Sequence, residues 1–229
     1  MRQGRFDLII GHGSGSFAHV PAHKYKVHQG IINSKSLIGA SITQDAAARL
    51  NRIVVSVLIK QGINAVSFPP SGGAVAASGK IEEWNLNPLE HALRNGFVPV
   101  TYGDVLVDTK QGVSIASTEE VFSFMASRLH PDRIMLATDV DGVFDKNPKV
   151  YRDSKLIESI SGRNIKRFLS YAGKSQKIDV TGGMSGKLLL LYEAVKRSGA
   201  TGYIVNGNRK GAIRNLLLGK KVLCTKVLP

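Results

Sequence analysis

Along this chain, short β-prone apolar runs alternate with longer stretches of helical period. Phe6 to Ile10 is an apolar strand run that empties into His12-Gly13-Ser14-Gly15-Ser16-Phe17-Ala18-His19, a loop of small residues with His19 at its far lip. Val27 to Ile42 is polar and glycine-spaced, and reads as a loop with a short helical piece. From Gln44 to Lys60 apolar residues fall at 46, 47, 50, 53, 54, 57 and 58, one helix face, with Thr43 as N-cap and Gly62 as the stop. Ala65 to Phe68 is a strand closed by Pro69-Pro70-Ser71-Gly72-Gly73, and a helix over Pro88 to Asn95 precedes a strand over Val98 to Thr101. Val105 to Asp108 and Val113 to Ile115 flank Thr109 to Gly112 as a hairpin.

Ser117-Thr118-Glu119-Glu120 is a capping box opening a helix to about Leu129. Arg133 to Thr138 is a central strand that empties into Asp139-Val140-Asp141-Gly142. Lys146 to Ile160 is irregular, with a short strand or turn near Ile157, and Gly162 to Leu169 is helical. Met184 to Ser198 forms an amphipathic helix stopped by Gly199. A strand at Gly202 to Val205, a helix at Ala212 to Leu218 and a strand at Val222 to Lys226 close the chain. Strand and helix in repeated alternation predict an α/β fold, an open, mostly parallel sheet sandwiched between helices. With no linker or internal repeat, residues 1–229 read as one domain, two halves of one continuous sheet meeting near residue 130.

The 229 residues suffice for a proper core, and 43% hydrophobic with 21% charged residues is ordinary for a globular protein. No apolar run is long enough for a transmembrane helix, and the short N-terminal run does not resemble a secretory signal. Cys224 is the single cysteine, so no internal disulfide forms; a reducing cytoplasm fits, and the residue reads as a small buried member of a terminal strand. The net charge of +14 raises nucleic acid as a partner. Yet the basic residues are scattered (Lys24 and Lys26, Arg163 to Arg167, Lys174 to Lys177, Lys220-Lys221), with no long like-charge run and no aromatic-interleaved stripe. No specific nucleic-acid partner and no membrane partner are expected.

The small-residue loop leaves its backbone N–H groups free to converge on an anion, with His19 able to reach the same anion. The same loop is also readable as a plain βα turn with a satisfied histidine. A second glycine cluster, Thr181-Gly182-Gly183-Met184-Ser185-Gly186-Lys187, places a lysine in the first turn of a predicted helix, where anions are favoured. Two such cradles, one with a histidine and one with a lysine, suggest phosphate moving between them. The second cluster is not a Walker A loop: its glycine spacing is one short, and Leu188 stands where Ser or Thr belongs. Asp139-x-Asp141-Gly142 opens like a calcium loop but lacks the closing Glu, so no metal-ligating set is assigned. Asp139 and Asp141 are alternatively strand-end caps, and Glu119 and Glu120 alternatively serve only the helix start. His23, His28, His91 and His130 read as surface residues, and Trp84 as part of a lid or a dimer contact.

In order, His12-Gly13-Ser14-Gly15-Ser16-Phe17-Ala18-His19, Gly103-Asp104, Thr138-Asp139-Val140-Asp141-Gly142-Val143, Asp179 to Met184, Lys187 and Asn206-Gly207 resemble the amino acid kinase superfamily. Within it they resemble the isopentenyl phosphate kinase branch, the glycine loop ending in His being the branch-specific part. The resemblance covers essentially the whole chain. It implies a three-layer αβα fold and transfer of phosphate from ATP with Mg2+ to a small-molecule phosphate, isopentenyl phosphate, in isoprenoid biosynthesis. About residues 1–130 are then the phosphate-substrate half and about 131–229 the nucleotide half. By the same resemblance Gly13, Ser14, Gly15, Ala18 and His19 hold the substrate phosphate. Thr138, Asp139, Asp141, Gly142, Gly182, Gly183 and Lys187 hold the nucleotide. His19, Lys187 and Glu119 are the catalytic candidates, and a cytoplasmic homodimer is implied.

Three departures accompany the resemblance. The family opens on a strand ending in a Lys-x-Gly-Gly-Ser loop, and this chain begins at what resembles the second strand. Glu119 stands where the family carries an aspartate that orients phosphate-binding lysines. Ser14 and Ala18 replace loop glycines, which narrows the expected cradle. The alternatives left open are a kinase for another small phosphate or phosphonate, and a nucleotide-binding homologue without catalysis.

Overall fold

The computed structural model describes residues 7–172 and 183–229. The chain divides into two compact units, Met1–Phe122 and Ser123–Pro229. Five of the eight strand pairings among the described residues are parallel, so the sheets are mixed with a parallel majority, flanked by helices.

The first unit holds two hydrogen-bonded sheets. One is parallel: β1 (Ile10–His12) and β2 (Ala65–Ser67) flank β5 (Val98–Tyr102). The other runs β4 (Lys80–Trp84), β3 (Ala74–Ala77), β6 (Asp104–Asp108), β7 (Gly112–Ala116), with β3 and β6 parallel and both outer pairs antiparallel. The helices are α1 (Gly15–Lys24), α2 (Ser36–Lys60), α3 (Asn87–Arg94) and α4 (Thr118–Leu129), the last running on into the second unit.

Several expectations are corrected here. The first strand is Ile10–His12 rather than the run ending at Ile10, because it pairs in register with Val100 to Tyr102 of β5. The strand Ala74–Ala77 and its partner Lys80–Trp84 were not predicted, since an alanine-rich run and a glutamate-rich run carry weak β signals. Their turn, Ser78-Gly79, has positive φ at both residues (50° and 79°), as a two-residue hairpin turn requires. Trp84 ends β4 opposite Ala74.

Helix α2 begins at Ser36, well before the predicted Thr43. Thr43 is inside the helix, its hydroxyl donating to the Gly39 carbonyl (2.8 Å), while the Ser36 hydroxyl accepts the N–H groups of Ile32 and Asn33 (3.0 and 3.1 Å). Gly39, which sequence pattern reads as loop, is a close-approach residue: a Cβ there would lie 2.3 Å from Cβ of Tyr25. Ala in place of Gly gains about 1 kcal/mol of helix propensity, but overpacking costs about 1–3 kcal/mol. Gly39→Ala is therefore expected to lower the thermal midpoint; an unchanged or higher midpoint would mean that the Tyr25 contact yields freely.

The second unit is one sheet, β8 (Arg133–Thr138), β10 (Thr201–Asn206), β11 (Cys224–Val227) and β9 (Ser159–Ile160), with only the β10–β11 pair antiparallel. Ile134, Ile204 and Val227 pack against Leu188, Leu191 and Val195 of α6 (Gly183–Ser198) and Phe168 of α5 (Ile165–Ala172). A smaller cluster joins Val205 to Ala212 and Leu216 of α7 (Ala212–Leu217), with Cys224 half-buried beside it. No helix among the described residues is long and apolar enough to cross a membrane.

Candidate functional site

In the first unit β1 delivers His12 to the turn Gly13-Ser14, which is clamped from neighbouring elements. The Thr118 hydroxyl, at the start of α4, donates to the His12 carbonyl (2.8 Å), and the Gly103 N–H donates to Thr118 Oγ1 (3.1 Å). The Ser14 hydroxyl donates to the Gly103 carbonyl (3.1 Å). Gly103 suits this clamp, as a Cβ would sit 3.0 Å from the Thr118 nitrogen and the neighbouring backbone would have to give by a few tenths of an ångström. Helix α1 then starts at Gly15, where φ is +49°, without a side-chain cap and without an acidic residue in its first turn. The Phe17 N–H of that first turn donates to the Ser14 carbonyl (3.1 Å), and the N–H groups ahead of it at such a helix start carry partial positive charge. A Cβ on Gly15 would meet nothing within 4 Å, and one on Gly13 only Thr118 Oγ1 at 4.0 Å, so the turn is open on that side.

Because α1 begins at Gly15, His19 is an exposed residue on the second turn of a helix and not the lip of a loop. Ser14 and Ala18 do not narrow the cradle as expected. Ser14 is turned to Gly103, and Ala18 is buried with Ala46, Ala47 and Tyr102 in the small-residue contact of α1 and α2. Both side chains are engaged within the fold, the Ser14 hydroxyl in a hydrogen bond and the Ala18 methyl in packing. His23, His28, His91 and His130 are exposed, as predicted.

His12, which the sequence pattern treats only as the first loop residue, is held most firmly. Its Nδ1 lies 3.1 Å from the Gly13 carbonyl, its Nε2 lies 3.1 Å from Nδ2 of Asn51, and its ring stacks on Tyr102 at 5.5 Å and 14°. Burial lowers its pKa from the ordinary 6.5, opposed by the hydrogen bond to Gly13. Nearby, Asp104 is only 1% exposed; burial raises its pKa, opposed by hydrogen bonds from Ser71 and from the N–H of Val105. A cleft of about 430 Å³ is lined by Gln44, Asn51, Arg52, Ser67, Ser71 and Tyr102, among others.

Glu119 is the second residue of α4 and partly exposed. The capping box forms by half: the Ser117 hydroxyl accepts the Glu120 N–H (3.1 Å), but the Glu120 carboxylate takes the Ile81 N–H (3.4 Å) instead of returning to Ser117.

In the second unit the carboxyl ends of β8 and β10 meet through side chains. Arg209 grips Asp141 with both edges of its fork (Nε–Oδ1 2.5 Å, Nη2–Oδ2 2.7 Å), and the Asn206 amide donates to the same carboxylate (3.2 Å). Lys149 pairs with Asp139 (2.5 Å). Each cation holds its carboxyl below the usual carboxylate range, and the nearby charge of Lys187 acts on Asp139 in the same sense. Thr138 closes its own turn onto the Val140 carbonyl (2.8 Å). Gly142 is buried where a Cβ would lie 2.4 Å from Thr225 Oγ1, so its small size serves the approach of β11. Thr225 in turn accepts the Val143 N–H (2.8 Å) and donates to the Ile157 carbonyl (2.7 Å).

Lys187 is the fifth residue of α6, opening its second turn, one position later than the predicted helix start implied. Gly183 opens that helix, while Thr181 and Gly182 lie outside the described residues. Sequence pattern does not single out Lys149 or Arg209: each stands in an irregular segment, Lys149 ten positions from Asp139 and Arg209 68 positions from Asp141.

The chain belongs to the amino acid kinase family, whose sequence model matches residues 1–206. Within that family it is similar to isopentenyl phosphate kinases. That of Methanothermobacter thermautotrophicus is 36% identical over 229 aligned residues, spanning 96% of this chain and 84% of that protein. That of Methanocaldococcus jannaschii is 35% identical over 217, spanning 93% and 78%. A crystal structure of isopentenyl phosphate kinase superposes with a TM-score of 0.80 at 33% identity, covering 96% of this chain and 83% of that one. Carbamate kinase from Giardia lamblia superposes with a TM-score of 0.63 at 13% identity, a likeness of fold alone.

Proposed function

We propose that this chain is a small-molecule kinase that transfers the γ-phosphoryl group of ATP to isopentenyl phosphate. A terminal oxygen of the substrate phosphate bonds to the γ-phosphorus, the bond to the β-bridging oxygen breaks, and ADP leaves with isopentenyl diphosphate as product. The observation that carries this is the open turn Gly13–Gly15 with His19 on the helix it starts, in a chain 36% identical to a named isopentenyl phosphate kinase. Phosphoryl transfer needs two anions oriented and their charge neutralised, with little covalent help from the protein. In this reading the uncapped start of α1 and His19 bind the substrate phosphate, and Lys187 with the Asp139 and Asp141 turn binds the nucleotide.

Among the described residues no three His, Cys, Asp or Glu side chains gather as a metal cage, and Asp139 and Asp141 are already paired with Lys149 and Arg209. Mg2+ fits this chain as a companion of the ATP phosphates, where it supplies charge neutralisation. A cytoplasmic homodimer belongs to the same proposal, and sedimentation of the purified chain measures its oligomeric part.

The test is ADP release with isopentenyl phosphate as acceptor; ATP binding without turnover would overturn the catalytic reading. A charge-assisted hydrogen bond is worth about 1.5–3 kcal/mol, roughly ten- to a hundredfold in an equilibrium constant. His19→Ala is accordingly expected to raise KM for isopentenyl phosphate by that factor, with His19→Gln recovering part of it. Unchanged kinetics in His19→Ala would remove His19 from the site.

A further inference from the structure

We propose that His12 is a positioning residue for the Gly13-Ser14 turn: neutral, protonated on Nδ1, and held in that tautomer by an Asn51–Ser67 relay. The inference rests on the functional reading above for what the turn binds, but its geometry stands by itself. The Gly13 carbonyl can only accept, so Nδ1, 3.1 Å away, carries the proton. The Asn51 amide nitrogen can only donate, so Nε2, 3.1 Å away, is the bare acceptor. Which way the amide points follows from the Gly13 end: with the ring neutral and its proton on Nδ1, Nε2 takes a donor, and the Ser67 hydroxyl, able to donate or accept, then donates to Oδ1. The Gly13 and Asn51 contacts thus agree on one arrangement that Ser67 can complete, and Asn51 is 0% exposed.

Stacking on Tyr102, itself 2% exposed, fixes the ring plane. Holding the Gly13 carbonyl fixes the plane of the Gly13–Ser14 peptide and hence the direction of the Ser14 N–H leading into α1. The Thr118 hydroxyl on the His12 carbonyl fixes the peptide just before it. His12 thus orients the donors of the turn without itself being a donor to the ligand.

Protonation of Nε2 would set two donors against each other. Relief requires the Asn51 amide to turn over and the Ser67 hydroxyl to change from donor to acceptor, which gives up the neutral-ring arrangement. Ionisable groups on the surrounding elements are Tyr102 on β5, Asp104 opening β6, Arg52 on α2, and Glu119 and Glu120 on α4. Burial already disfavours the imidazolium, opposed only in part by the Gly13 bond. The relay is therefore intact at neutral pH and is lost as pH falls below 6.5, through the lowered pKa of His12.

The experiment compares wild type, Asn51→Leu and Asn51→Asp. Misplacing the turn is expected to raise KM for isopentenyl phosphate roughly ten- to a hundredfold in Asn51→Leu, with KM for ATP unmoved. Asn51→Asp accepts from Nε2–H while leaving Nδ1–H on Gly13, so it should recover most of that loss and flatten the rise in KM that wild type shows below pH 6.5. Titration of the substrate's own phosphate is common to all three proteins and cancels in the comparison. Wild-type KM in a folded Asn51→Leu, or the same acid rise in Asn51→Asp, would overturn the inference. Histidine 15N shifts read the tautomer directly: a protonated Nδ1 and bare Nε2 in the wild type support it, and a protonated Nε2 at neutral pH overturns it. Should isopentenyl phosphate prove not to be a substrate, that reading fails separately, and titration with inorganic phosphate of wild type and Asn51→Leu replaces the KM measurement.

Discussion

Lys187→Ala is expected to lower kcat on the order of a hundredfold or more, because a donor aimed at transferring charge in a water-poor site is worth about 3–4 kcal/mol. The position of this lysine is set by packing. Leu188 beside it is 0% exposed, and Leu191 and Val195 anchor the same helix in the core of the second unit. The ammonium is therefore presented from a rigid element, and little ordering remains to be done when the nucleotide binds. Its charge already reaches Asp139, whose carboxyl it helps to keep ionised after the larger effect of Lys149. Alanine is compatible with a helix, so the thermal midpoint should stay close to wild type while activity falls. The division between constants is informative: a loss in kcat marks an interaction made in the transition state, and a rise only in KM for ATP marks uniform binding. Lys187→Arg should keep part of the rate, and kcat of Lys187→Ala within a factor of about three of wild type would remove Lys187 from the chemistry.

Elements with a strong local signal were legible in the sequence. The hairpin at Thr109 to Gly112, the strand Arg133–Thr138, the Ser117 cap and the helix carrying Lys187 all stand where pattern places them, to within a residue or two. What escaped was decided by contacts between distant segments. Gly39 is a helix residue with Tyr25 packed too close for a side chain, and Ser14 faces Gly103, 89 positions away. The site divides along the same line. The small-residue turn was visible as composition, whereas the partners that hold it, Thr118, Asn51 and Tyr102, come from three other elements. Arg209 lies 68 positions from Asp141, and neither residue alone signals the fork that joins them.

The second large effect is expected in stability, at Asp108. This carboxylate is 2% exposed and ties two turns together: Oδ1 accepts the N–H groups of Ser78 (3.1 Å), Lys110 (2.9 Å) and Gln111 (3.1 Å), and Oδ2 that of Gly79 (2.8 Å). Burial by itself would raise its pKa; the N–H groups outweigh burial and hold the carboxyl well below the usual carboxylate range. Removing it leaves four backbone donors to find other partners. Water reaches part of both turns, so the expected cost of Asp108→Ala is about 2–4 kcal/mol and not the sum of four separate bonds. In a protein of this size that corresponds to a fall of roughly 4–16 °C in thermal midpoint. Asp108→Asn keeps an acceptor in the Oδ1 position but sets an amide N–H against that of Gly79, so it should fall between alanine and wild type. The pH dependence follows from the sign of the shift. A carboxyl lowered on folding contributes its full stability above its unfolded value of 3.8 and loses it as pH falls through the lower folded value. The gap in midpoint between wild type and Asp108→Asn should thus be full at pH 6 and shrink only when the pH passes below 3.8. A gap that is already closing at pH 5, or an Asp108→Ala protein as stable as wild type, would mean that the β3–β4 and β6–β7 turns hold without this carboxylate.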